Sequence, residues 1–121
     1  MQKGSDMEQA KPLPSMLTVL SLVNRRPGMY LGIADESPAR RLDALEHLID
    51  GYSLAVFQHG VSDRGFDEWA AFPQRLIDRF GWSMSQGPIR AIRHASANDE
   101  VAWARLWALL EELTDFKPIA G

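Results

Sequence analysis

Apolar side chains recur along this chain at spacings of three and four, the period of helices with one buried face. The first such segment carries Met16, Val19, Leu20 and Val23; Ser15 can cap it, it runs to about Asn24, and Pro27 stops it. The longest carries Leu42, Leu45, Leu48, Ile49, Tyr52 and Val56 on one face. Its start is marked by Ser37 at the cap and Pro38 at the first helical position, with Asp35 and Glu36 nearby, and its end near Gln58 or His59 by Gly60. After a polar turn over 61–65, Phe66 to Ala71 begins another helical stretch, which Pro73 either kinks or starts afresh. Leu76, Ile77 and Phe80 carry that face to Gly81, and Trp82 to Gly87 reads as a loop whose tryptophan seals a core edge. Residues 88–94 fit two patterns, since Ile89 and Ile92 are three apart as in a helix while the stretch also alternates like an edge strand; a short helix is preferred. The last helix starts at Asn98 or Asp99, carries Val101, Ala102, Leu106, Leu109, Leu110 and Leu113 with Trp103 and Trp107, and ends by Phe116 and Pro118.

Short connections between amphipathic helices predict an all-α fold, a compact single-domain bundle of about five helices over residues 15–121. Residues 1–14 lack apolar periodicity and read as a disordered N-terminal arm. At 121 residues and 45% hydrophobic content the chain can bury a core without staples, and with no cysteine it has no disulfide or thiolate chemistry. The net charge of −3 gives no general attraction for nucleic acid or anionic lipid, which leaves another protein as the expected partner. The apolar run from Met16 to Val23 is too short to span a bilayer, and Asn24-Arg25-Arg26-Pro27 follows it where a signal peptide would need small residues. A cytoplasmic location is expected.

The most conspicuous stretch is Arg26-Pro27-Gly28-Met29-Tyr30-Leu31-Gly32, which combines a fixed φ, two glycines and large side chains in one connector. It reads as a structural motif: Pro27 and Gly28 set the chain direction, Met29 and Tyr30 plug between the first two helices, and Arg26 ties the turn to a carboxylate or helix-end carbonyl. Gly51, inside the longest helix, costs ~1 kcal/mol against alanine and points to close approach by a neighbour, the connector being the candidate.

Asp43, His47 and Asp50 share one exposed helix face, which alone does not complete a cation site. His59 and His94 stand without a motif, and Gly81-Trp82-Ser83-Met84-Ser85 lacks the second glycine and the strand of a nucleophile elbow. Trp103 and Trp107 read as core or subunit interface. No catalytic, cofactor-binding or metal-binding residue is assigned, and the expectation is a protein that is not an enzyme.

The connector resembles the Arg-Pro-Gly-Met-Tyr-Ile-Gly segment of DNA gyrase B subunits and related GHKL ATPases, and Glu46 stands where that family places its glutamate base. The chain departs from that family at the magnesium-holding Asn after Asp50 and at the glycine boxes, since Asp63-Arg64-Gly65-Phe66-Asp67 lacks the second glycine. A broader resemblance, from Leu17 onward, is to small bacterial proteins with an Arg-Pro-Gly-Met-Tyr-Leu-Gly motif. It is carried further by Leu48-Ile49-Asp50-Gly51-Tyr52, Phe66-Asp67-Glu68-Trp69, Phe80-Gly81 and Leu109-Leu110-Glu111-Glu112-Leu113. Such proteins are often regarded as immunity partners of secreted toxins. The resemblance therefore implies a cytoplasmic protein-binding module, an immunity-type inhibitor of a cognate toxin domain. The excess of acids between positions 42 and 78 makes Asp43, Glu46, His47, Asp50, Asp63, Asp67 and Glu68 the expected partner surface. The alternatives are a degenerate GHKL-like nucleotide-binding protein using Glu46 and a homo-oligomer joined through Trp or Leu on the last helix.

Overall fold

Side-chain caps open four of the six helices in the computed structural model, which describes residues 15–31, 37–60 and 63–118. Ser15 accepts from the Thr18 amide at the head of α1 (Met16–Arg25), and Pro27 opens a five-residue helix, α2 (Pro27–Leu31). Ser37 caps α3 (Pro38–His59), Asp63 caps α4 (Arg64–Phe80), and Asn98 caps α6 (Asp99–Leu113), with the short α5 (Pro88–His94) between the last two. Gly60 and Gly81 end α3 and α4 in the left-handed region, at φ of 60° and 74°, where a side chain would be strained.

The all-α bundle is what forms: the described residues hold six helices and no strand. α4 is continuous through Pro73, and it begins two residues earlier than Phe66 because Asp63 supplies the cap. Residues 88–94 are helical, since Ile89 and Ile92 both face inward, at 3% and 1% exposure, a geometry that strand alternation would not give. The expected arm, Gly32 and the acids Asp35 and Glu36 lie outside the described residues.

The core gathers Met16, Leu20 and Val23 from α1, Leu42, Leu45 and Ile49 from α3, and Trp69, Phe72 and Leu76 from α4, with Leu106 and Leu110 of α6 at its centre. α4 and α6 run antiparallel, because Arg79 pairs with Glu112 while Arg75, a turn earlier, donates to the Leu113 carbonyl at 2.7 Å. α5 lies antiparallel to α3, with Arg90 on Glu46 and Arg93 on Asp43. Phe116, 1% exposed, then folds back against Trp107, which also meets Trp103 edge-to-face at 5.3 Å. Trp107 is thus core, while half-buried Trp103 carries the Arg41 guanidinium over its ring. No helix among the described residues is long and apolar enough to cross a membrane.

Two expectations about the connector fail. Among the described residues nothing lies within 4 Å of a Cβ built on Gly51, so none of them approaches there. The close approach is at Gly65, where a Cβ would meet the Leu17 amide nitrogen at 2.8 Å, letting the start of α4 sit directly on the start of α1. Met29 and Tyr30 do not plug the bundle either: they are 66% and 43% exposed, and in α2 only Leu31 packs against the core. The reason is the helical turn, which rotates residues 29 and 30 away from the side that Leu31 presents inward.

Candidate interaction surfaces

Of the seven acidic-surface residues, four already have partners within the chain. Asp43 accepts from Arg93 at 2.8 Å, and the same guanidinium grips Asp99 at 3.1 and 3.2 Å, so that α3, α5 and α6 are tied through one cation. The Asp99 hydrogen bond is the main reason the Arg93 pKa lies above its ordinary value. Glu46 accepts from Arg90 at 3.2 Å. Glu68 takes Arg75 in a two-pronged contact at 3.0 and 3.3 Å and also the Asp115 amide at 3.1 Å; the Arg75 hydrogen bond leads in holding its carboxyl below the usual range.

Asp63 is the structural centre of its region. It caps α4 through the Phe66 amide at 3.1 Å, accepts from the Met16 amide at 3.2 Å, and takes a hydrogen bond from the Tyr52 hydroxyl. Burial, then the Asp63 hydrogen bond and charge, push the Tyr52 pKa up to about 12. The side chains of His47, Asp50 and Asp67 are exposed and make no hydrogen bond or ion pair among the described residues. The seven therefore do not form one continuous acidic face: on α3, Asp43 and Glu46 are answered by arginines of α5, and Glu68 turns toward the C-terminal segment. No group of three metal-ligating side chains is gathered among the described residues.

The connector, by contrast, is turned outward. Arg25 and Arg26 are exposed, and the Arg26 side chain makes no hydrogen bond or ion pair among the described residues, so the expected anchor is not formed; only its backbone is tied, to the Leu22 carbonyl at 3.0 Å. The Tyr30 amide donates to the Arg26 carbonyl at 3.1 Å, which holds the two side chains within one helical turn. Arg25, Arg26, Met29 and Tyr30 are thus all exposed around the junction of α1 and α2.

Two further features were not expected. Leu54 and Phe57 are 57% and 84% exposed on the outer side of α3; their signal in the sequence is that both fall off the stripe set by Leu42, Leu45, Ile49, Tyr52 and Val56. An open cleft of about 550 Å³ lies between Trp82, Gln86, Arg90 and His94. Trp82 stacks on Phe80 at 4.3 Å with the Arg105 guanidinium over its ring, so the aromatic does seal an edge of the core. The Ser83 hydroxyl is paired only with Ser85, at 3.2 Å, among the described residues.

No family model, curated protein or solved structure matches the chain.

Proposed function

We propose that this chain is a cytoplasmic protein-binding module, an immunity-type inhibitor that neutralises a toxin by occluding it, and that it docks through Arg25, Arg26, Met29 and Tyr30. The observation that carries the reading is the exposure of Met29 and Tyr30 at 66% and 43%, on a motif whose apolar residues would be expected to pack inward. Tyr, Met and Arg are the residue types enriched at the centres of protein interfaces, where they supply contact area at a modest entropic cost. The two guanidinium groups favour a partner site that offers carboxylates beside an apolar pocket. Likeness to the small bacterial motif-bearing proteins supports the choice of a toxin as that partner. The acids are a weaker candidate, since Asp43, Glu46, Asp63 and Glu68 would have to leave partners in their own fold.

The test is titration calorimetry against the product of the neighbouring gene, with Arg26→Glu/Tyr30→Ala compared with Asp50→Lys/Asp67→Lys. The motif variant is expected to weaken binding by at least ~10-fold, as loss of an interface anchor does, with the melting temperature unchanged. Unchanged affinity in the motif variant removes the motif as the docking site.

A further inference from the structure

The open cleft beside α5 is lined by Arg90, His94, Gln86 and two serines and by no acid, although the chain carries a net charge of −3. Its volume of about 550 Å³ falls in the range of small-molecule pockets. Arg90 and His94 stand one turn apart on α5 and so share the helix face that lines it. Arg90 gives only its Nε to Glu46, at 3.2 Å, and its two terminal nitrogens make no hydrogen bond among the described residues. The Gln86 amide and the His94 ring make none there either. Glu46 does not line the cleft: with Asp50 it lines a smaller hollow of about 210 Å³ that meets the cleft at Gln86 and Gly87.

The remaining wall is apolar and held in place. Trp82 stacks on Phe80 at 4.3 Å, and Arg105 lies over the Trp82 ring while donating to the Ala95 carbonyl at 2.9 Å. One guanidinium thus ties two sides of the cleft together, and no carboxylate answers its charge among the described residues. The loop between them is closed by the Gly87 amide on the Met84 carbonyl at 3.0 Å. A cleft formed in advance lowers the cost of binding.

We propose that this cleft binds a small organic anion, a phosphate monoester or a carboxylate. Its charged group meets the terminal nitrogens of Arg90, and its apolar body lies against Trp82 and Ala91. Charge decides the sign of the ligand, because the polar side of the cleft offers donors and positive charge, and a guanidinium fork matches an oxyanion with two oxygens. The Trp82 wall decides that the anion carries an apolar body, since an inorganic ion would leave that surface in water. The cleft shares no residue with Arg25, Arg26, Met29 or Tyr30, so the inference stands apart from the inhibitor reading. For a ligand of about a dozen heavy atoms in an open site, a Kd of about 1 mM is expected.

The probes are naphthyl phosphate and naphthoate for the two kinds of anion, naphthol for the body without the charge, and inorganic phosphate for the charge without the body. Heteronuclear NMR titration is expected to show saturable shifts at the Trp82 indole and the Gly87 amide with either anion, the tighter one naming the charged group. Naphthol and inorganic phosphate are expected to bind at least ~10-fold more weakly. Arg90→Gln is expected to weaken the anion at least ~10-fold with the melting temperature unchanged, since the Arg90–Glu46 pair is on the surface. Glu46→Gln breaks the same pair but leaves the guanidinium free, and is expected to bind at least as tightly as the unaltered chain. Naphthol binding as tightly as its phosphate ester, unchanged affinity in Arg90→Gln, or equal losses in the two variants overturns the inference. So does the absence of a saturable shift at Trp82 below about 10 mM.

Discussion

The Asp63 carboxylate accepts from the Phe66 and Met16 amides and from the Tyr52 hydroxyl, and so holds the starts of α1 and α4 beside the middle of α3. It caps α4 three residues ahead of the amide it accepts from, as Ser37 and Asn98 cap α3 and α6, but the apolar face of α4 starts only at Phe66, and on that pattern Asp63 reads as part of a polar turn. Its other two donors, the Met16 amide and the Tyr52 hydroxyl, come from α1 and α3, and contacts across 47 and 11 positions leave no local trace. An acid expected to face a partner is instead a joint between three helices. The consequence falls on Tyr52, whose pKa of about 12 lies above its ordinary value of 10.0. A group whose pKa rises on folding contributes stability that is complete below the unfolded value and is lost as pH climbs through the folded one. Stability is therefore expected to fall between about pH 10 and 12, and Tyr52→Phe, although less stable at neutral pH, to lose that part of the decline. With Tyr30→Phe removing the other tyrosine, the absorbance of tyrosinate should emerge near pH 12; emergence near 10 would mean that Tyr52 is solvated and unpaired.

At the scale of elements, helical period and caps together made α1, α3, α4 and α6 legible to within about two residues of each boundary, which is the ordinary uncertainty of helix ends. α2 was not legible, because five residues are too few to show a period, and the proline and glycines there read as a turn. The glycines were misassigned for a related reason: a sequence shows that a side chain is missing but not what fills the space. The two positions separate by mutation. Gly65→Ala drives a Cβ onto the Leu17 backbone at 2.8 Å, where α1 and α4 must part, and is expected to cost about 1–3 kcal/mol. Gly51→Ala meets nothing within 4 Å among the described residues and is expected to stabilise the chain by up to ~1 kcal/mol. Urea denaturation measures both; equal signs would contradict the placement of α1 on α4.

Over the whole molecule, the distinction that the sequence leaves open is between apolar residues that complete the core and apolar residues that do not. Both kinds lie on helices, and only packing sorts them. Phe116 follows the last helix in a segment that reads as its end, yet it is 1% exposed and closes the bundle against Trp107; Tyr30 sits in the most distinctive motif of the chain and is 43% exposed. Charge behaves in the same way: the local excess of acids over 42–78 is real in the sequence, but α5 brings Arg90 and Arg93 to it from beyond position 87, so the local count overstates the negative surface. The two aromatics give a direct test of how the molecule divides scaffold from surface. Phe116→Ala leaves a cavity beside Trp107 and is expected to cost about 3–5 kcal/mol. Tyr30→Ala removes only surface contacts and is expected to change stability by less than about 1 kcal/mol. Chemical denaturation of the two variants decides it. A loss of several kcal/mol at Tyr30 would return the motif to a scaffold role and take the proposed docking surface with it, whereas a neutral result leaves its conspicuous chemistry without a structural purpose inside the chain and in need of a partner.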